Sequence, residues 1–405
     1  MTKNKKHFLI AVIACALASS SVGLNINLNG LYIQPVSQAI GVSTGAFSLH
    51  STFISIGIAM GSISVPVFLK KMDYRLLVLI ASVVAAVMTL LMSFSTQVWM
   101  FSILGFTRGF ASAFFGFVGL QFLINNWFIS KHGLVTSLVF SFGGVAGAIL
   151  SPIVSSLMES RGWQAGYWIQ AVLYLVFALP ALLIPYKASP QEEGLEPYQD
   201  GEQSKTVQEG DFKSAVKPFS YKTPTFVLVI LMSIFATALT GMVQHLPGVA
   251  TDFAFTARTG AMMISAAMIA NILFKLLVGV LNDSKGAIFA NMVMLVAVAA
   301  GFVLMLFGAN QVLMLSGSFL FGAIYGLTAV GVALFIKHLY PIEHFGKVFP
   351  IVSFTQNIGA AFAISIYGFS YDLSGGYTAA LIGSIAVTVL IAVLMLMANK
   401  NQRCP

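Results

Sequence analysis

Long apolar runs separated by short polar turns dominate the chain, and each run approaches the roughly 20 residues needed to cross a bilayer as a helix. Twelve are recognisable, at approximately 8–32, 47–69, 75–95, 98–126, 133–157, 163–185, 223–248, 259–281, 286–308, 311–336, 346–369 and 376–398. One connector is different: 186–222 is long, rich in Pro, Gly and acid, and is expected to stay outside the membrane without fixed structure. It divides the spans six and six. The expected organisation is an N-terminal bundle over 1–185, a linker over 186–222 and a C-terminal bundle over 223–405.

The start of the chain has the pattern of a secretory signal, with Lys3, Lys5 and Lys6 ahead of FLIAVIACALASSS. Its apolar character continues to Tyr32, a full spanning length, so it is read as the first span. Sliding the second half back by 213 residues brings Gly109 onto Gly322, Phe122 onto Phe335, Gly133 onto Gly346 and Glu159 onto Asp372. The pattern therefore predicts an all-α membrane protein of twelve transmembrane helices in two six-helix, pseudo-symmetric bundles. That parallel-repeat plan is used by secondary transporters around a midplane site.

Composition agrees: 58% of the 405 residues are hydrophobic and 8% charged, too few to cover a water-facing surface. The net charge of +8 does not mark a nucleic-acid partner, because the cations are dispersed among the connectors. With the N-terminus inside, seventeen Lys and Arg fall in cytoplasmic segments and only Arg161 and Arg258 in external ones. Both termini and the linker are thus expected in the cytoplasm, and the short loops suggest a bacterial cytoplasmic membrane. Cys15 and Cys404 are the only cysteines, and no Walker, nucleophile or metal-cluster motif is present. No cofactor and no enzymatic activity are expected, which sets aside the reading as a membrane enzyme or sensor.

The informative residues are charges without a loop to occupy. All thirteen acids fall in connectors or at span ends, whereas Arg108 and Lys275 lie within spans 4 and 8. A buried charge in a membrane normally faces a cavity and has a partner. With no carboxylate at that depth, the missing partner is expected to be an anionic substrate. The competing reading has Arg108 capping carbonyls of a broken helix and Lys275 snorkelling to the interface. Polar residues that could share the lining are Asn25, Asn29 and Tyr32 on one face of span 1, Thr240, Gln244 and His245 in span 7, Asn271 in span 8, Tyr325 in span 10, and Gln356 and Asn357 in span 11. His245 also reads as an ordinary structural histidine. His50 lies near the outer end of span 2.

The loop after span 8, Gly279-Val-Leu-Asn-Asp283-Ser-Lys-Gly286, resembles the G-x-L-x-D-x-x-G signature of the major facilitator superfamily. Its counterpart after span 2 keeps Asp73 and Arg75 without the glycines. Trp127-Phe128-Ile-Ser-Lys131-His132-Gly133-Leu134 and Ser160-Arg161-Gly162-Trp163 are similar to elements of the monocarboxylate transporter and oxalate:formate antiporter group. That resemblance implies the major facilitator fold, a gating role for Asp283 and Asp73, and a substrate-facing cation at Lys275. It also implies a single functional unit carrying a small organic anion, with proton symport or a counter-anion. Gln356 and Asn357 stand where the antiporters carry a second cation, which favours a monocarboxylate over a dicarboxylate. The alternative within the superfamily is efflux of amphipathic drugs or other small molecules.

Overall fold

The computed structural model describes residues 3–199, 223–308 and 310–403. Among them are twelve helices long and apolar enough to span a membrane. The first six are α1 (Lys5–Asn27), α2 (Thr44–Leu69), α3 (Tyr74–Met92), α4 (Val98–Trp127), α5 (Gly133–Arg161) and α6 (Trp163–Leu183). The second six are α7 (Pro224–Asp252), α8 (Ala257–Lys285), α9 (Ala287–Phe307), α10 (Gln311–Leu339), α11 (Ile351–Ser374) and α12 (Thr378–Asn401). Alternating passes put both termini at one end of the bundle, called here the terminal end; the other is the distal end.

The surface shows what surrounds this bundle. Ile63, Leu183 and Leu373 are 78%, 72% and 90% exposed, and they are members of a broad belt of exposed Leu, Ile, Val and Phe. In water such a belt would drive aggregation, whereas lipid tails satisfy it at no cost. Helix association in that setting depends on close packing rather than on the hydrophobic effect. Accordingly α2 and α4 meet through Gly57, Gly61 and Gly109, where an added Cβ would collide with the facing backbone of Phe106, Phe110 and Ile54.

The internal repeat is visible in the backbone at the same offset of 213. Gly41 after α1 and Ala254 after α7 are both left-handed, with φ of 69° and 62°. Ser43 caps α2 as Thr256 caps α8, each accepting a backbone N–H three residues on. Gly162 and Gly375 end α5 and α11 with φ of 84° and 73°.

Several boundaries differ from the hydropathy reading. After α1 the chain stays helical over Gly30–Ile40. The Gly279–Gly286 signature lies on the last turns of a helix that runs to Lys285, and Gly286 ends it at φ 84°. Polar residues continue these helices because a cap, not apolarity, ends a helix. The linker also departs from expectation at its start. Over 186–199 it is fixed on the first bundle: Trp127 Nε1 donates to the Lys187 carbonyl (3.1 Å), Lys6 pairs with Glu193 (2.8 Å), and Tyr198 forms a β-bridge with Phe128. The rest of the expected linker, 200–222, lies outside the described residues.

Replacing Gly57 or Gly109 by Val should destabilise the fold by about 1–3 kcal/mol, because neither backbone can recede without parting α2 from α4. Gly383→Val is the control, since an added Cβ there meets nothing. Thermal unfolding in detergent should show a lowered Tm for the first two and little change for the third.

Candidate functional site

Four spans, α1, α4, α7 and α10, are broken in mid-course. In α1, Ser19–Asn27 forms a π-helix. There Ser19 and Ser21 return their hydroxyls to the Cys15 and Ala18 carbonyls, and Gln170 of α6 donates to the Leu24 carbonyl (2.7 Å). These bonds compete with the helical ladder and let it widen. In α4 the helix ends at Ser112 and restarts at Phe117. In α7, Thr240–His245 tightens to a 3-10 turn before Pro247, and in α10, Leu327–Gly331 is again π-helical. Broken spans of this kind offer backbone and polar side chains to a central site.

The densest polar cluster lies where the end of α1 and the helical turn that follows it meet α2, α4 and α7. The Asn29 amide is its hub: Nδ2 donates to Ser51 Oγ (2.6 Å) and Gln244 Oε1 (3.0 Å), while Oδ1 accepts from Arg108 Nη2 (3.3 Å) and faces His50 Nε2 (3.2 Å). One turn along α4 from Arg108, Ser112 accepts from Asn25 Nδ2 (2.9 Å), so Asn25 and Asn29 both bond residues of α4. Arg108 is fully buried. Its other contact is the Met92 sulfur at 3.7 Å, its Nε has no partner, and no ion pair reaches it among the described residues. Tyr32 stacks on Tyr167 with ring centroids 4.0 Å apart, and both unpartnered hydroxyls lie within electrostatic range of Arg108.

The second bundle contributes less to that cluster. Gln244 belongs to it directly, but His245 turns away: its Nδ1 meets the Tyr377 hydroxyl (2.9 Å) and its Nε2 the Ile364 carbonyl (2.8 Å), tying α7 to α11 and α12. One donor and one acceptor satisfy a neutral imidazole completely, which is the structural role weighed for it above. Asn271 and Lys275 lie four residues apart on α8. An added Cβ at Gly144 of α5 would be 3.7 Å from Asn271 Nδ2, so this face is turned to α5. Asn271 Oδ1 is buried without a partner, and the half-buried Lys275 has no hydrogen bond or ion pair among the described residues. Tyr325 is half-buried beside the α10 break, Gln356 donates to the Thr328 carbonyl (3.3 Å), and the exposed Asn357 bonds back to Ser353 of its own helix. Thr240 likewise bonds back to Thr237.

Contacts between the bundles gather at the distal end. Asp372 at the end of α11 accepts the backbone N–H of Thr44 (3.0 Å) and Gly45 (2.7 Å), placing a carboxylate on the positive end of α2. Thr52 bonds Ser365 (2.7 Å) and the Ala361 carbonyl (2.9 Å), Thr251 bonds Gln34, and Ser265 bonds the Ala148 carbonyl. With Asn29–Gln244, these bonds lie between the middle and the distal end of the bundle. A cavity of about 610 Å³ remains in this seam, lined by Gln34, Gln38, Glu159, Trp163, Thr251 and Asp252, among others.

At the terminal end, Asp73 caps α3, accepting from the Arg75 N–H (2.9 Å), and pairs with Lys187 (2.7 Å). Arg75 donates to the Ala181 and Leu182 carbonyls, so this loop is bound to the end of α6. Asp283 is exposed and, among the described residues, accepts a hydrogen bond from its neighbour Asn282 (3.1 Å). Partial burial pushes the Asp73 carboxyl up, but the Lys187 hydrogen bond and the N–H groups of Arg75 and Leu76 together hold it below the ordinary carboxylate value.

Two outcomes follow from these contacts. Asp372→Asn should loosen the distal seam. In a variant with Cys15 and Cys404 replaced by Ser, a cysteine at Gln34 should then react several-fold faster with a membrane-impermeant maleimide. For Asp73, a depressed folded pKa means that its stabilisation is present above the unfolded value of about 3.9 and disappears as pH falls through the folded one. The Tm difference between wild type and Asp73→Asn should be constant near neutrality and should close on acidification below about pH 4.

Comparison with known proteins agrees with this architecture. A B. subtilis (strain 168) protein described as an uncharacterized MFS-type transporter, YcxA, is 23% identical over 392 residues, covering 93% of this chain and 92% of its own. The phosphoglycerate transporter protein of Salmonella typhimurium is 28% identical over 193 residues, 46% of this chain and 40% of its own. Among solved structures, the nucleoside transporter NupG superposes with a TM-score of 0.76 at 14% identity, covering 99% of this chain and 100% of its own. The D-xylose-proton symporter gives 0.71 at 14%, covering 96% of each chain. The sequence model of the Major Facilitator Superfamily matches residues 13–364 and 226–402, and the chain belongs to that family of multi-pass membrane transporters.

Proposed function

We propose that this secondary transporter carries a small organic anion, a monocarboxylate on the sequence resemblance, by alternating access. The observation that carries the reading is Arg108: a fully buried guanidinium bonded to a neutral amide and a thioether, with no carboxylate reaching it among the described residues. An uncompensated charge at such depth costs about 2.5–3.5 kcal/mol on insertion scales, more on an isolated helix. A substrate anion removes that cost, and it does so only while bound. Lys275 supplies a second cation on the α8 face turned to α5, with Asn271 beside it holding an unused amide oxygen. The relative named as a phosphoglycerate transporter has an anionic substrate, which supports the class without fixing the compound.

Taking the terminal end as cytoplasmic on the Lys and Arg distribution, the conformation described is one sealed toward the outside. The domains 1–185 and 223–405 then rock about the central cluster, with Asp372 and Asn29 among the contacts that part. The functional unit is a single chain in a bacterial cytoplasmic membrane.

Uptake of radiolabelled pyruvate, lactate, formate and oxalate into proteoliposomes tests this. Arg108→Gln and Lys275→Gln should each lower uptake of the preferred anion by tenfold or more while keeping a monodisperse elution profile. Arg108→Lys should recover part of the loss, since the charge is kept and the fork is not. Undiminished anion uptake in both Gln variants, or carriage of neutral and cationic compounds alone, would overturn the anion reading.

A further inference from the structure

His50 is fully buried in the second turn of α2 and is flanked by acceptors on both sides of its ring. Nδ1 meets the Phe47 backbone carbonyl, which can only accept. Nε2 meets Asn29 Oδ1. The orientation of the Asn29 amide is not free: Oδ1 also receives Arg108 Nη2, a donor that cannot be anything else, while Nδ2 serves Ser51 and Gln244. Turning the amide over would set an NH₂ group against the guanidinium. A neutral imidazole has one N–H, so with Asn29 held by Arg108 it leaves one ring lone pair against an oxygen lone pair. Two N–H groups satisfy both contacts.

We propose that His50 is the proton-binding group of the transport cycle, linked to the anion site through Asn29. This rests on the anion reading above and names its coupling. A proton on His50 puts a second cation against the oxygen that Arg108 already uses. The two positive charges repel, so the protonated site is completed by a bound anion, and each favours the other's binding. When the proton leaves, Asn29 turns over, donates to His50 Nε2 and gives up Arg108; Gln244 turns with it or releases, loosening a contact between the bundles. Proton, anion and distal seam are then one linked unit.

The other groups around His50 do not supply the missing negative charge. From α4 come the ring of Phe101 and Arg108, which shares the Asn29 oxygen with it; the hydroxyls of Tyr32 and Tyr167 carry no hydrogen bond. From α7 comes the neutral Gln244, since His245 is turned to α11 and α12. The acid of α11, Asp372, is engaged by Thr44 and Gly45 at the start of α2.

The test uses proteoliposomes of wild type and His50→Gln, with labelled pyruvate, lactate, formate and oxalate as probes in two assays. One is accumulation driven by an inward proton gradient; the other is counterflow at symmetric pH. His50→Gln should lose the several-fold stimulation by the gradient; its counterflow, slowed by loss of the coupled charge, should no longer change between about pH 5 and 7, where wild-type counterflow does. His50→Asn repeats the test if the Gln variant is not monodisperse. Gradient-driven accumulation retained in a folded variant overturns the proposal. If wild type performs neither assay with any probe, the anion reading fails by itself, and ¹⁵N-histidine spectra of wild type, with His50 identified by subtraction of the folded variant, decide the rest. An imidazolium signal from His50 between about pH 5 and 7 then sustains a proton site; a neutral ring throughout overturns it.

Discussion

A charge that has left water must be compensated, and among the described residues no carboxylate compensates Arg108. The guanidinium is packed among α1, α3, α4 and α6 with a neutral amide as its strongest contact. A structural arginine at such depth usually finds a carboxylate or several carbonyls; here Nε is left over and two tyrosine hydroxyls stand by unpaired. These unsatisfied groups make the resting site expensive, and in the proposed function a bound anion offsets that cost, which is the condition for differential binding between states.

The cluster exists because the spans that build it are not regular helices. Serines and Gly23 in α1 widen its ladder to a π-helix, so Asn25 and Asn27 reach different neighbours, α4 and α5. The interruption of α4 after Ser112 and the tight turn of α7 at Thr240–His245 bring the remaining partners in. Glycines then allow the bundles to approach: a side chain at Gly30 would strike the Gln244 backbone, and one at Gly45 would strike Phe369 and Asp372. The hydrogen bonds that join the bundles toward the distal end can each be broken singly, which suits surfaces that part.

Hydropathy made the twelve spans legible because membrane burial imposes a length and a composition on each of them. It did not reveal where helices end, since Asn282 to Lys285 are polar yet helical until Gly286 stops them. Nor did it reveal that 186–199 docks on the first bundle, because Tyr186, Pro190 and Tyr198 find aromatic and apolar partners that a polar average conceals. At the site, Arg108, Asn25, Asn29, Tyr32 and Gln244 stood out as polar residues inside apolar runs. His50 did not, lying near a span end, and its pairing with Asn29 joins two helices 21 positions apart in the chain. The Ser-Ser-Ser-Val-Gly run was the one local signal that α1 would break.

The proposed site at Arg108 is defined by the sign of the charge that completes it. The most direct measurement is the melting temperature of the purified transporter with matched pairs that differ only in charge, such as lactate against lactamide and pyruvate against pyruvamide. A ligand that binds the native state raises the melting temperature by mass action. An anion site at Arg108 gives stabilisation by at least one carboxylate and none by its amide; stabilisation by the amides alone would contradict an anion site.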